Sequence, residues 1–267
     1  MIELYYFKNS VCSERVLMAL AEKGINDWTP HHIDLFKDEQ DCPDYLELNP
    51  KAQVPTLVHE GHVIRESSNI CNYLDDLRPG NPLKPTTPLE RAHMREWIKE
   101  ADEAGFQGVA SLSFATIFRA KLAGMSQVER DLMWAAQKDQ ARTYRQQSCF
   151  LEGLMSPYSI IAITAWDAIF NQLEQTLNDQ RKWIMGEGFS LADLNFAPLI
   201  ARLEAMRFLE IWLDGRTHVH KWWQRIKSRA SFIETNVGPS AGDELREYAR
   251  EGSLHVDEAR RIVLEHR

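Results

Sequence analysis

Residues 53–64 read Gln53-Val54-Pro55-Thr56-Leu57-Val58-His59, Glu60-Gly61, His62-Val63-Ile64, two short apolar runs joined by a two-residue turn that contains glycine. Such a pattern predicts a β-hairpin, because glycine supplies the positive φ that a tight turn needs. Upstream, residues 2–7 form a short apolar and aromatic run typical of a buried strand, and after the polar loop Lys8-Asn9-Ser10-Val11 the period lengthens. Over 13–23 the apolar positions Val16, Leu17, Leu20 and Ala21 recur at helical spacing, and Gly24 stands where a left-handed C-terminal cap belongs. A strand around 30–35 completes a strand, helix, strand unit, for which a right-handed crossover and parallel pairing are expected. Asn49-Pro50 closes a short helix over 42–48. Beyond the hairpin, Ile70, Tyr73, Leu74 and Leu77 mark a helix over 67–77. The order β-α-β-(α)-β-β-α predicts a small mixed sheet with helices packed on it.

The stretch 79–88 is the richest in proline and glycine, which places a linker at 81–88 between a first domain at 1–80 and a second at 89–267. Past the linker strand signals vanish. Helical periodicity with charged opposite faces runs over 89–123, 127–151, 160–177, 191–213 and 218–230, so the second domain is expected to be all helical. Gly188-Phe189-Ser190-Leu191-Ala192-Asp193 sets Ser190 as an N-cap with an acid three residues on, a variant of the capping box.

With 267 residues, 44% hydrophobic and a net charge of −8, the chain can bury a proper core and lacks the basic clusters that nucleic acids and anionic membranes require. Uncharged stretches such as 106–118 and 153–166 fall short of the roughly 20 apolar residues that span a bilayer. Residues 1–7 show no secretory signal pattern, so a cytoplasmic location is expected. Four cysteines without a CxxC pair suggest reduced thiols, and nine histidines without ligand-type spacing suggest no metal. Seven of the eight tryptophans lie in the second domain, where they suit a core or an aromatic pocket.

Three short motifs carry possible chemistry. Ser10-Val11-Cys12-Ser13 sits at a strand-to-helix turn, where the positive end of a helix and its unpaired N–H groups stabilise a thiolate; the same residues also suit a buried thiol beside a helix N-cap. Gln53-Val54-Pro55 precedes a strand, and a cis bond there would offer the Val54 backbone to an extended peptide-like ligand, whereas a trans proline would simply open the strand. Glu66-Ser67 opens a helix and suits an α-amino acid end, with the helix N-terminus facing a carboxylate and Glu66 an ammonium, or else serves only as a cap.

In their order and spacing these motifs, with 49–57 and Gly188-x-Ser190-x-Ala192-Asp193, resemble the glutathione transferase superfamily. The resemblance covers nearly the whole chain. It implies a thioredoxin-like α/β N-terminal domain and an all-α helical-bundle C-terminal domain, working as a homodimer with glutathione as co-substrate. It also implies that Glu66 and Ser67 hold the γ-glutamyl end and that Val54, before a cis Pro55, pairs with the cysteinyl backbone. Lys37, Gln40 and Gln53 become candidates for the glycine carboxylate, and Asp102 for the γ-glutamyl ammonium across a dimer interface. Ser13 would donate to the glutathione thiolate, with Ser10 and Cys12 beside it.

Within that superfamily, Leu4-Tyr5-x-Phe7, Asn49-Pro50-x-x-Gln53-Val54-Pro55, an insertion at 125–157 and a polar tail from 238 resemble the bacterial β-aryl etherases of lignin-fragment breakdown. This implies attack of the glutathione thiolate on an aryl ether, leaving a thioether and a phenol. Etherases carry Asn or Ser where Cys12 stands, whereas a cysteine there is shared with zeta-type isomerases and reductive dehalogenases, which implies Cys12 as nucleophile. A protein of the same fold that binds aromatic ligands without turnover is the third alternative.

Overall fold

The computed structural model describes residues 1–137, 139–235, 237–238 and 242–267. Contacts divide the chain into two compact units: Met1–Ile98, Gln180–Pro198 and Lys221–Ser240 form the first, and Lys99–Asp179, Leu199–His220 and Ala241–Arg267 the second.

In the first unit β1 (Ile2–Tyr6), α1 (Val11–Glu22), β2 (Trp28–His32), α2 (Pro43–Leu48), β3 (Thr56–His59), β4 (His62–Arg65) and α3 (Ser67–Leu77) follow the predicted order. The sheet runs β2-β1-β3-β4, with β1 parallel to β2 and antiparallel to β3, and Leu4 lies opposite Leu57. The hairpin pairs Leu57 with Ile64. Leu4, Leu57, Val16, Ile70 and Leu74 are all fully buried, which is the periodic pattern turned inward. Two boundaries differ from expectation. The second strand lies at 28–32 rather than 30–35, and α1 begins at Val11, because the Ser10 side chain accepts the Ser13 N–H and caps the helix two residues early.

A buried ion pair fastens α1 to α3. Lys23 Nζ lies 2.7 Å from Asp75 Oδ1 and 2.8 Å from the Asn81 carbonyl, with the two charged side chains 0% and 3% exposed. Asp75 Oδ1 also accepts the Leu83 N–H. Removing one partner of such a pair strands a buried charge. Asp75→Ala is therefore expected to cost about 3 kcal/mol, the low end of that range because the Asn81 carbonyl remains. Urea unfolding checks it, with Lys23→Met expected to cost less.

Beyond residue 87 the chain is helical, with α4 (Pro88–Glu100), α5 (Phe106–Ser113), α6 (Arg119–Ala123), α7 (Gln127–Ala136), α8 (Gln140–Glu152), α9 (Pro157–Leu177), α10 (Leu191–Ala205), α11 (Leu209–Leu213), α12 (Thr217–Lys227), α13 (Ala230–Glu234), α14 (Gly242–Ser253) and α15 (Val256–Glu265). The helix expected at 89–123 is broken by wider π turns at Ala101–Gly105 and Phe114–Phe118. The one expected at 191–213 breaks at Arg207, whose φ is 62°. The segment from 238 was expected to be a polar tail; instead it holds α14 and α15, whose Tyr248, Ala259 and Ile262 are buried.

In the second unit Phe170 packs between Trp166, tilted against it, and Trp212, stacked on it, with ring centroids 5.3 and 5.7 Å apart. Gly108 lets α5 pass close to α9, since a Cβ there would meet Trp166 Nε1 at 2.7 Å. All seven tryptophans beyond the linker are 8% exposed or less, so they fill cores. Among the described residues no single helix is long and apolar enough to cross a membrane, and no group of three or more His, Cys, Asp or Glu side chains suits a metal.

Candidate active site

The turn between β1 and α1 is drawn tight by its own hydrogen bonds. Ser10 N–H donates to the Phe7 carbonyl at 3.0 Å, Ser13 N–H to Ser10 Oγ at 3.4 Å, and Phe7 N–H to Ser13 Oγ at 3.3 Å. These bonds decide which side chains face outward. Ser13 is fully buried with its hydroxyl turned back to the strand, while Ser10 and Cys12 are half-exposed. Cys12 stands in the first turn of α1, at the positive end of the helix.

Residues 49–56 are braced from below. Asn49, 3% exposed, donates through Nδ2 to the Gln53 carbonyl at 2.7 Å and to Thr56 Oγ1 at 3.1 Å. Tyr45 OH donates to the same carbonyl at 2.6 Å and lies 2.9 Å from Thr56 Oγ1. Burial pushes the Tyr45 phenol above its ordinary value, so it stays a donor. The Val54-Pro55 peptide is cis. Val54 is half-buried, and among the described residues neither its N–H nor its C=O takes part in a hydrogen bond.

The N-terminus of α3 adjoins both segments. Glu66 caps the helix at φ 66° without a side-chain cap bond, and its exposed carboxylate lies 2.6 Å from Lys51 Nζ, on the loop before Val54. Ser67, 8% exposed, takes a hydrogen bond at 3.3 Å from Nη1 of Arg15, one turn along α1 from Cys12. The fold thus brings Cys12, Val54, Glu66 and Ser67 onto three adjoining segments. On the first strand Tyr5 stacks on His31 at 4.3 Å, and burial, then Glu3, push its phenol up.

The remaining candidates are placed differently. Lys37 is exposed and pairs with Asp34 at 3.1 Å, and this pairing, with the Phe36 N–H, holds Asp34 below the usual carboxylate range. Gln40 donates to Asp41 at 2.9 Å. The Gln53 side chain is exposed. Asp102 is half-buried in the π turn of the second unit, a kind of turn frequent at functional sites.

Sequence reasoning missed Arg15. It is 1% exposed and donates to Ser67 and, through Nε at 3.0 Å, to the Asn195 carbonyl on α10. The signal was present, since Val11, Arg15 and Ala19 follow one another at i, i+4 on the buried stripe of α1. An arginine on an apolar stripe needs buried partners.

Comparison with known proteins matches residues 9–77 to the family described as "Glutathione S-transferase, N-terminal domain" and residues 157–230 to the corresponding C-terminal domain. The tetrachloro-p-hydroquinone reductive dehalogenase of Sphingobium chlorophenolicum is 28% identical over 246 residues, 90% of this chain and 97% of that protein. LigF of Sphingobium sp. strain SYK-6 is 32% identical over 204 residues, 73% of this chain and 77% of LigF. The crystal structure of this β-etherase superposes with a TM-score of 0.76 at 27% identity, covering 88% of this chain and 98% of that one. Maleylacetoacetate isomerase of Rattus norvegicus is 32% identical over 207 residues, 76% of this chain and 79% of the isomerase.

Proposed function

The chain belongs to the glutathione S-transferase superfamily, which uses glutathione as co-substrate, and we propose that it uses the glutathione thiolate to attack an electrophilic carbon of a small aromatic substrate, with β-aryl ether cleavage as the reaction. The observation that carries this reading is that the N-terminus of α3 meets both α1, whose first turn holds the half-exposed Cys12, through Arg15 and Ser67, and the loop before Val54, through Lys51 and Glu66. That arrangement suits a peptide with a thiol between two charged ends. Val54 pairs with the cysteinyl backbone, the α3 N-terminus and Ser67 take the α-carboxylate, and Glu66 takes the ammonium in place of Lys51. The first turn of α1 stabilises the thiolate.

Ser13, the donor expected from sequence, is fully buried with its Oγ accepting the Phe7 N–H, so its role at the thiolate passes to Cys12 and Ser10. Lys37, Gln40, Gln53 and Asp102 stay as candidates for the remaining charged groups of glutathione, in a cytoplasmic homodimer. Similarity to the LigF structure favours an aryl ether as substrate. A second reading, reductive release from a glutathionyl conjugate, is favoured by Cys12 itself, the protein sulfur nearest the thiolate site.

Titration of the purified protein with glutathione, followed by product analysis on β-aryl ethers, chlorinated hydroquinones and a maleyl isomerisation substrate, tests the proposal. Binding and a glutathione thioether with a released phenol are expected. No binding at millimolar glutathione would sink every glutathione-dependent reading and leave a ligand-binding role.

A further inference from the structure

We propose that Arg15 is a positioning residue for the carboxylate of the bound γ-glutamyl group, acting through Ser67; this rests on the glutathione site proposed above. A serine hydroxyl has one donor hydrogen and two lone pairs. Arg15 Nη1, 3.3 Å away and behind Ser67, occupies a lone pair, which turns the hydroxyl hydrogen outward at the N-terminus of α3.

The guanidinium is itself held. Its Nε donates at 3.0 Å to the Asn195 carbonyl, and the side chain is 1% exposed, so Arg15 is fixed against α10 and cannot swing toward solvent. Asn195 lies two residues past Asp193, in a helix start where Ser190 N–H and Oγ–H both donate to Asp193 Oδ2 at 3.0 and 2.7 Å. Arg15 thus joins a rigid helix start on one side to the hydroxyl on the other, and the hydroxyl is oriented before the ligand arrives. A buried positive charge one side chain away also favours an anion there, since the interior screens it weakly. The chemical class served is a carboxylate, not the ammonium or the thiol.

The test is a double-mutant cycle of Arg15→Lys and Ser67→Ala, read by calorimetric titration with glutathione and with its analogue lacking the γ-glutamyl α-carboxylate, 4-aminobutanoyl-cysteinyl-glycine. Arg15→Lys is expected to raise the Kd for glutathione about tenfold when Ser67 is present and less than about twofold in the Ser67→Ala background. With the analogue it is expected to change nothing in either background. Equal losses in both backgrounds, or the same loss with the analogue, overturn the proposal while leaving the glutathione site standing. Wild-type protein that fails to bind glutathione overturns both. Should Arg15→Lys not fold, ¹⁵N spectra of the arginine side chains in wild-type protein decide. The Arg15 signal is expected to shift on adding glutathione and not on adding the analogue, and no shift overturns the proposal.

Discussion

Replacing Asp193 by alanine is expected to lower stability by at least about 5 kcal/mol, a large part of the roughly 5–15 kcal/mol that holds a domain together. The carboxylate is fully buried and satisfies four donors at once. Oδ1 accepts the Ile184 N–H at 2.9 Å and Trp222 Nε1–H at 2.8 Å, and Oδ2 accepts the Ser190 N–H at 3.0 Å and its hydroxyl at 2.7 Å. Each donor stranded in a dry interior costs about 1–3 kcal/mol. The loss has no easy repair, since Trp222 is 0% exposed and Ser190 3%, too deep for water to replace the carboxylate. Asp193→Asn keeps an acceptor for Ile184 and Trp222 but turns an NH₂ group toward the Ser190 N–H, so it should fall between alanine and wild type. Circular dichroism melts check both, at about 2–4 °C per kcal/mol for a chain of this size. An alanine variant within about 1 kcal/mol of wild type would mean the donors find other partners.

Half of this node was readable in advance. Ser190 and Asp193 stand three residues apart before an apolar run, and that local spacing announces a cap. Ile184 and Trp222 come from 9 and 29 residues away, and nothing local marks them as donors to the same carboxylate. The first unit shows the same division. Its strands and helices follow from Glu60-Gly61, Gly24 and the shift of period after Phe7, all local signals. The break at Arg207 does not, because Met206-Arg207-Phe208 contains no proline or glycine. It coincides with a tertiary contact: Gly252 on α14 lies so near the Met206 carbonyl that a Cβ would come within 2.0 Å of the oxygen.

At the site the motifs were legible but the orientations only in part. Helical phase does not separate the two, since Cys12 stands four residues and Ser13 three before Val16 on the buried side; the Phe7 N–H that Ser13 Oγ accepts turns Ser13 inward, and that bond lies outside the helical pattern. The motif resemblance pointed to Ser13 because it compares residue types and not faces. Arg15 shows the opposite case. Its place on the stripe was visible, while its partners Ser67 and Asn195, 52 and 180 residues away, are a product of the fold.

The exposure of Cys12 leads to the sharpest expectation for activity. In the substitution reaction the glutathione sulfur forms a bond to carbon, the phenol departs, and Cys12 only lends a hydrogen-bond donor to the thiolate. A hydroxyl does this at least as well as a thiol, so Cys12→Ser should keep thioether formation within about threefold and Cys12→Ala should lower it about tenfold. In reductive release the Cys12 thiolate attacks the glutathione sulfur of the conjugate. The carbon–sulfur bond breaks, the aryl carbon takes a proton, and a mixed disulfide with Cys12 forms; a second glutathione then frees Cys12 as glutathione disulfide. A serine hydroxyl has no counterpart to that step, so Cys12→Ser should lower any such activity by at least about 10³-fold with the Kd for glutathione unchanged. The two outcomes are read from one preparation by separating thioether from reduced product. Reductive release that survives Cys12→Ser would remove Cys12 from that chemistry, and thioether formation that disappears in the same variant would make Cys12, rather than the helix N-terminus, the group on which the thiolate depends.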